Sequence, residues 1–577
     1  MPIEEKAQRL DLRHICVCSV DPPGCKDIDD ALSLEVLEDG NYRVGVHIAD
    51  VTYFLKEGTP LDDEASERCT TVYLVERRTD MLPALLTTDL CSLVGGQDRL
   101  AFSVLWVMTP KGEILSSSFH KSFIHSRAAL TYAEAQNMID DPSDRSELSE
   151  NLRRLLSLSK VIREKRMQAG ALQLASPDVQ IIRETITEEN DNGSERKKKK
   201  KEKESGDVVK TEEKEGDEDE EGMLAVGKRK YNMKKKKRGE EEEREDQMKE
   251  CHADEVTEEA SGGDIALYQA RDTNRMVEDF MLLANTTVAE KIVNYFPTAS
   301  LLRRHPEPKE RQLKALKDLL QSRGISHFDF SSSKTLGASL NYVAQTAPDL
   351  DFLVRILTTR CMNQAVYFSS ADILPNSQSE RHSITTSLSS SSSSPDKPEV
   401  SPYFHHYGLA APIYTHFTSP IRRYADVVVH RMLAAAIGIE GVPSLCRNKQ
   451  RLTQQCELLN VKHRNAQIAG RNSVQYHVYL YFKHKGSREA VGTVTKVKKN
   501  GVMVYIHKYG LEGIVFLKEQ EFIFDAEKQA LKHRESGDLL KIFDALLVRI
   551  EADHSNDFRP EVTMKYIRKA TEQDRER

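Results

Sequence analysis

Ten residues near the start of the chain restrict what it can fold into more than any other stretch: Asp21-Pro22-Pro23-Gly24-Cys25-Lys26-Asp27-Ile28-Asp29-Asp30. Four carboxylates, Asp21, Asp27, Asp29 and Asp30, fall inside them. Like charges at that density repel and raise one another's pKa unless something positive sits among them. A fold around this stretch either leaves it in solvent or holds it rigidly about a cation. The solvated acidic turn is the bland reading. The functional reading is a hard divalent cation, since Mg²⁺ takes a few carboxylates and completes its shell with water and phosphate. Pro22, Pro23 and Gly24 predict a tight turn that folds Asp21 back toward the other three. An EF-hand calcium loop does not fit, because the sixth position lacks Gly and the twelfth lacks Glu.

Immediately downstream the period is two. Residues 31–37 alternate, Glu38-Asp39-Gly40-Asn41 turns, and residues 42–48 alternate back, which predicts a hairpin. The carboxylate loop thus opens directly into a sheet. Val46-His47-Ile48-Ala49-Asp50 follows; His47 reads as a satisfied sheet histidine ahead of a catalytic one. Residues 61–95 begin helical. Strands are expected at 100–109 and 113–125, and helices at about 131–140 and 149–168.

The chain is long enough, at 577 residues, for two to four domains with ample cores. Its net charge of -7 gives no support to a nucleic-acid partner, but the balance is local. Residues 191–260 hold 19 Lys/Arg against 24 Asp/Glu, which is -5 of the -7, so the remainder is close to neutral. Residues 183–262 are low in complexity and are expected to be a disordered insertion. Its basic runs, 197–201 and 234–238, read as a nuclear localisation signal or a weak RNA contact, or as mere solvation. Nine scattered cysteines without a Cys-x-x-Cys pair read as reduced thiols and speak against a structural zinc site. No apolar run approaches the roughly 18 residues of a membrane span.

Residues 271–295 predict a helix with an apolar stripe of Val277, Phe280, Met281, Ala284, Val288 and Ile292. Arg271, Asn274, Glu278 and Asn285 form a polar stripe that reads as the wet face. Helical signals continue near 309–322 and 338–369, and a serine-rich loop is expected at 376–401. Then comes Thr418-Ser419-Pro420-Ile421-Arg422-Arg423-Tyr424. Ser419 suits an N-cap and Pro420 the first helical position, which would place Arg422 and Arg423 in the first turn. Arginines there are ordinarily unfavourable and make sense beside an anion such as phosphate. A helix at 449–483 precedes five short strands in under 90 residues. That is the count of an OB-fold barrel, with Lys496, Lys498, Lys499, Lys508, Tyr505 and Tyr509 as its basic and aromatic contacts.

Together these pieces resemble the ribonuclease II (RNB) family of exoribonucleases. The resemblance rests on the aspartate loop, Val46-His47-Ile48-Ala49-Asp50, Thr71-Val72-Tyr73-Leu74, Asp89-Leu90-Cys91-Ser92-Leu93, Val277-Glu278-Asp279-Phe280-Met281-Leu282-Leu283-Ala284-Asn285 and residues 418–424, in the family's order. The wording is nearer to the eukaryotic, exosome-associated branch than to the bacterial one. The implied fold is α+β: a catalytic domain over residues 1–484, with a mixed sheet and surrounding helices, then a five-stranded OB barrel over 485–577. The implied activity is metal-dependent 3′→5′ hydrolysis of single-stranded RNA to nucleoside 5′-monophosphates. The alternative is an inactive RNA-binding protein of the same fold.

By resemblance Asp21, Asp27, Asp29 and Asp30 are metal-binding carboxylates for Mg²⁺ or Mn²⁺, and cleavage depends most on Asp29, with Asp30 and Arg422 beside it. Tyr73 stacks on the 3′-terminal base, Glu278 touches ribose and Arg422 meets phosphate, while Arg423 and, from the barrel, Lys496, Lys499 and Tyr505 are RNA contacts on the residue reading above. The family often carries a second stacking aromatic after residues 172–177, where this chain reads Asp178-Val179-Gln180-Ile181-Ile182. Relatives place two cold-shock domains and a PIN domain ahead of the nuclease. This sequence begins at the nuclease, so a fragment or short form is expected; the exosome core is a candidate partner by resemblance, with stable docking a property of those preceding domains. Nuclear residence is favoured over cytoplasmic.

Overall fold

The computed structural model describes residues 8–174, 179–182, 264–267, 270–372, 402–525, 530–553, 555 and 560–575. The expected insertion at 183–262 and the serine-rich loop at 376–401 lie outside the described residues. Two compact units are present, residues 1–181 with 265–577, and residues 182–264. The second lies almost wholly outside the described residues.

The chain opens with β1 (Leu10–Asp11) and β2 (Val17–Asp21), crosses the carboxylate loop, and forms the predicted hairpin, β3 (Asp30–Val36) and β4 (Tyr42–Ala49). Helix α1 (Pro60–Arg68) leads to a two-residue ribbon, β5 (Val72–Tyr73) and β6 (Arg78–Thr79). The two further strands are β7 (Asp98–Met108) and β8 (Ile114–Thr131). β8 outruns its expected end because it changes partners along its length. It pairs antiparallel with β7 as far as His125 and parallel with β2 from Ser126 to Thr131. The result is a mixed, curled sheet in the order β1-β8-β2-β3-β4-β7, with β7 and β8 paired as well.

Alternation puts Leu32, Leu34, Val44, Val46, Ile48, Phe102, Val104 and Trp106 in the core. The helices α2 (Tyr132–Asp140), α3 (Glu147–Ala169) and α4 (Asp272–Tyr295) contribute to the same core. Helix α2 starts where it does because Thr131 and Glu134 form a reciprocal capping box. β9 (Val179–Ile182) pairs with β10 (Asp264–Leu267), and β11 (Leu301–Arg304) pairs with β12 (Val366–Ser369). Three helices, α5 (Glu310–Gln321), α6 (Ser333–Thr346) and α7 (Pro348–Cys361), close a smaller core of Leu316, Leu320, Leu336, Leu340 and Val354.

The helix after the Thr418–Tyr424 segment corrects the sequence reading. Helix α8 runs Tyr424–Ala436, with Arg423 extended at its N-cap, so Ser419 is not the cap and the arginines precede the first turn. Tertiary bonds outweigh the local preference. Asp426 draws in the Ser419 N–H at 2.7 Å, and Asp29 draws in the Ile421 N–H at 2.9 Å. Residues 420–422 therefore make a turn wrapped around buried carboxylates, and the helix begins only after it.

Helix α9 (Lys449–Lys485) is 37 residues long, about 55 Å at 1.5 Å per residue. Its Leu452, Cys456 and Leu459 join the main core, and its Val478 and Phe482 join the core of the C-terminal barrel. That barrel is β13 (Arg488–Lys498), β14 (Gly501–Ile506), β15 (Leu511–Phe516), β19 (Ala545–Asp553) and β20 (Glu561–Lys569), closed in the order β13-β14-β15-β20-β19. Between β15 and β19 the chain adds a small sheet that the sequence reading does not anticipate, β16 (Phe522–Asp525), β17 (Ala530–His533) and β18 (Leu539–Leu540). A mixed α+β body followed by a five-stranded OB-type barrel is the expected fold.

Candidate active site

The carboxylate loop is built as its residues dictate. The Cys25 N–H donates to the Pro22 carbonyl at 3.2 Å, and Gly24 takes φ +76°. A turn with Pro second and a left-handed Gly third is type II, which needs Gly at that position. Asp21 closes β2 and Asp30 opens β3, so antiparallel pairing returns one carboxylate toward the other. Ser92 locks the loop from outside: its hydroxyl accepts from the Ile28 N–H at 3.0 Å and donates to the Lys26 carbonyl at 2.8 Å. The Ala49 N–H of β4 donates to the Asp29 carbonyl at 2.9 Å.

Asp29 is 4% exposed. Its Oδ1 accepts from the Ile421 N–H and its Oδ2 from Arg422 Nε at 3.2 Å. Burial pushes its carboxyl up to about 7. Burial likewise pushes Asp21 up to about 6, with the charge of Asp27 adding. Asp30 is pushed well above the ordinary carboxylate range by burial and by the charges of Asp21 and Asp29. These are acids held together against their own repulsion. Asp21 Oδ2 is buried without a hydrogen bond, the condition that a cation relieves.

Asp27 stands apart in its partners. Arg78 of β6 binds its Oδ1, and the Tyr73 hydroxyl donates to its Oδ2 at 3.4 Å. Among the described residues no three acidic, Cys or His side chains close around one point. Asp21 and Asp30 remain as the pair best suited to a hard cation. Two carboxylates suit Mg²⁺, which keeps several waters and takes further oxygens from phosphate.

Arg422 and Tyr73 meet the carboxylates from two segments zipped together. The Thr71 N–H donates to the Arg422 carbonyl at 3.0 Å, and the Tyr424 N–H to the Cys69 carbonyl at 2.9 Å. Arg422 also donates from Nη2 to the Ser419 hydroxyl at 3.0 Å, yet its side chain stays 42% exposed. Tyr73 is 46% exposed, and its ribbon is tied to α9 by the Val75 N–H donating to Ser473 at 3.0 Å. Both residues line a cavity of about 960 Å³ whose other walls are α7, α9 and the barrel.

The remaining candidates are distributed differently. Arg423 also lines the cavity, but its guanidinium grips Asp426 through two bonds of 2.8 Å. Tyr505 reaches the cavity from the barrel and is buried, its ring 6.1 Å from Phe352. Lys496 and Lys499 are exposed on the barrel, and Glu278 is exposed on α4; none of the three is in the cavity lining among the described residues. The polar stripe of α4 is not uniformly wet either. Asn285 is buried, where it accepts from the Phe417 N–H at 2.8 Å and donates to the Tyr414 hydroxyl at 3.0 Å. The segment expected to carry a second aromatic falls partly outside the described residues. Sequence reasoning missed Ser92, Arg78 and Asp426 as the residues that fix the loop, Asp27 and the arginine turn. Ser92 and Asp426 lie inside or beside motif segments, and the spacing of Asp426 three residues after Arg423 was a legible signal.

Comparison with known proteins places this geometry. The RNB domain model matches residues 9–439, and an S1 domain model matches residues 488–563. The chain is 40% identical over 565 residues to exosome complex exonuclease RRP44 homolog A of Arabidopsis thaliana, covering 97% of this chain and 50% of that protein. It is 39% identical over 570 residues to the human exosome complex exonuclease RRP44, covering 98% and 49%. The chain thus spans about half the length of these relatives. Among solved structures, Mycoplasma genitalium RNase R in complex with ribose-methylated single-stranded RNA aligns with a TM-score of 0.71 at 20% identity, over 98% of this chain and 73% of that one. Yeast Ssd1, a pseudonuclease, aligns with a TM-score of 0.68 at 16% identity, over 98% and 69%. With a loop of four aspartates, a partner arginine turn and an RNB domain spanning most of its length, the chain belongs to the RNB family of exoribonucleases.

Proposed function

We propose that this chain hydrolyses single-stranded RNA from its 3′ end, releasing nucleoside 5′-monophosphates with the help of a divalent cation, Mg²⁺ or Mn²⁺. The observation that carries the reading is that Arg422 and Tyr73, both half-exposed, line one cavity that also reaches the barrel while bonding buried Asp29 and Asp27 of the carboxylate loop behind them. The fold alone does not decide for catalysis, since a pseudonuclease has it too. The retained carboxylates favour the hydrolase over the inactive alternative.

Each residue has work that fits its surroundings. The exposed Tyr73 ring stacks on the terminal base without regard to sequence, and its hydroxyl is steadied on Asp27. Arg422, aimed by Asp29 and Ser419, offsets charge on the scissile phosphate. Arg423 positions that turn through Asp426. Asp21 and Asp30, with Asp29 beside them, would hold the cation, which when bound would supply a water of lowered pKa and charge for the attacking and leaving oxygens. Glu278, Lys496, Lys499 and Tyr505 supply ribose and backbone contacts farther along the strand, by analogy with the family. The functional division is a catalytic domain over 1–484 and an RNA-binding domain over 485–577. RNA processing and decay in the nucleus is the expected setting; association with an exosome core belongs to the whole relatives and is secondary here.

Digestion of a 5′-labelled RNA with a single-stranded 3′ tail tests the reading. The expected result is a ladder shrinking from the 3′ end, with 5′-monophosphates released and EDTA stopping the reaction. Binding without shortening would give the site to the inactive alternative. A second expectation concerns the cation itself. Saturating Mg²⁺ should stabilise the protein by about 1–3 kcal/mol through binding to the folded state alone. Thermal unfolding with Mg²⁺ or EDTA measures this, and an equal shift in Asp21→Asn would remove Asp21 from the site.

A further inference from the structure

Helix α7 faces the barrel along one stripe, Phe352, Ile356 and Arg360, spaced four residues apart. Phe352 packs edge-on against His507, with centroids 4.6 Å apart, and lies 6.1 Å from Tyr505. At the end of the stripe Arg360 meets Glu512 of β15 fork to fork. Nη1 donates to Oε1 and Nη2 to Oε2, both at 2.8 Å. Thr495 of β13 donates to the same Oε1 at 2.7 Å. Arg360 and Glu512 line the cavity that holds Tyr73 and Arg422.

The pair does two things at that position. It joins two walls of the cavity that belong to different cores, and it neutralises a carboxylate where a polyanion is expected to pass. The two side chains are 42% and 25% exposed, so the pair contributes little to folding stability. Its geometry is nonetheless bidentate and directional, which fixes the separation of the walls.

We infer that the Arg360–Glu512 pair is a clasp that sets the width and charge of the cavity rim and so restricts access to one strand, making both residues determinants of specificity for single-stranded over paired RNA. The inference rests on the RNA reading above. While Arg360 holds Glu512, one backbone passes. A duplex brings a second backbone to the same rim and meets the closed walls.

Binding measured in the Asp29→Asn background separates the clasp from the chemistry. The probes are a single-stranded RNA and duplexes with 3′ tails from two to about ten nucleotides. The readout is the ratio of the dissociation constants for the shortest-tailed duplex and the single strand. Arg360→Glu or Glu512→Arg alone should shift that ratio toward the duplex by about tenfold, and the two together, with the charges exchanged, should restore it. Glu512→Gln, which keeps the shape, should shift it by about threefold and serves where charge reversal unfolds the protein. An unchanged ratio in all of these, with only a lower unfolding temperature, would make the pair a simple tie between domains and overturn the inference. So would failure of every version to bind RNA. Binding with the expected ratios but no hydrolysis by the protein with Asp29 intact would uphold the clasp and sink only the hydrolase reading.

Discussion

Asp29→Asn is expected to lower RNA hydrolysis by about a thousandfold or more while leaving RNA affinity within about threefold. Asparagine has the size of aspartate, so the Ile421 N–H keeps an acceptor on Oδ1. The other end changes sign. An amide nitrogen would replace the oxygen that accepts from Arg422 Nε, and two donors would face each other. Arg422 would then lose its aim at the phosphate, and the carboxylate cluster would lose one charge. Binding energy for the strand comes mostly from stacking and backbone contacts along the cavity, which this change does not touch. Stability should change little, because the lost Arg422 contact is offset by removal of a charge that burial disfavours beside Asp21 and Asp30. Single-turnover rates and fluorescence anisotropy on the same preparation test both halves. Hydrolysis within tenfold of the parent would move the assignment of the site away from Asp29.

What the sequence made legible was local and repeated. The Pro-Pro-Gly turn, the period-two hairpin around Gly40 and the five barrel strands follow from residue type and spacing alone. The four aspartates announced a site because no surface turn requires such density. What stayed hidden was decided by distant partners. Ser419-Pro420 has the composition of a helix start, yet buried Asp29 and Asp426 take the backbone N–H groups first. Tyr505 alternates correctly for a barrel strand, but alternation cannot say that Phe352 of helix α7 lies against it. Asp27 looks like its neighbours in sequence and differs only because Arg78, 51 residues away, reaches it. His47 is the converse case. The bland reading suits it: it lies buried between Ser33 at 2.9 Å and Ser103 at 2.7 Å, and burial pushes its pKa down to about 3, so it stays neutral.

The largest loss of stability should come from Asp50→Ala, about 3–5 kcal/mol, at a residue that does not touch the cavity. Asp50 is 1% exposed and follows β4 directly. Its Oδ2 accepts from Arg9 at 2.7 Å, and its Oδ1 accepts from Lys121 at 2.6 Å and from the Thr52 hydroxyl at 2.8 Å. Burial alone would raise its carboxyl, but Lys121 and Arg9 outweigh burial and hold it well below the usual range. A carboxylate so depressed contributes stability above its unfolded pKa of about 3.9 and loses it as pH falls through the folded value. Alanine takes away the anion between two buried cations, and Lys121 then has Glu440 at 3.8 Å, a longer and more exposed contact. The effect should reach the active site by a short path, since Ala49, the preceding residue, donates its N–H to the Asp29 carbonyl. Urea unfolding measures the loss, which should appear as a lower midpoint with an unchanged slope. Adding Lys121→Met to Asp50→Ala should recover part of it, because the two residues share one network and their effects do not add. A loss below about 1 kcal/mol would mean that Arg9 and Lys121 find other partners or water, and that the network fixes the position of β4 without holding the fold together.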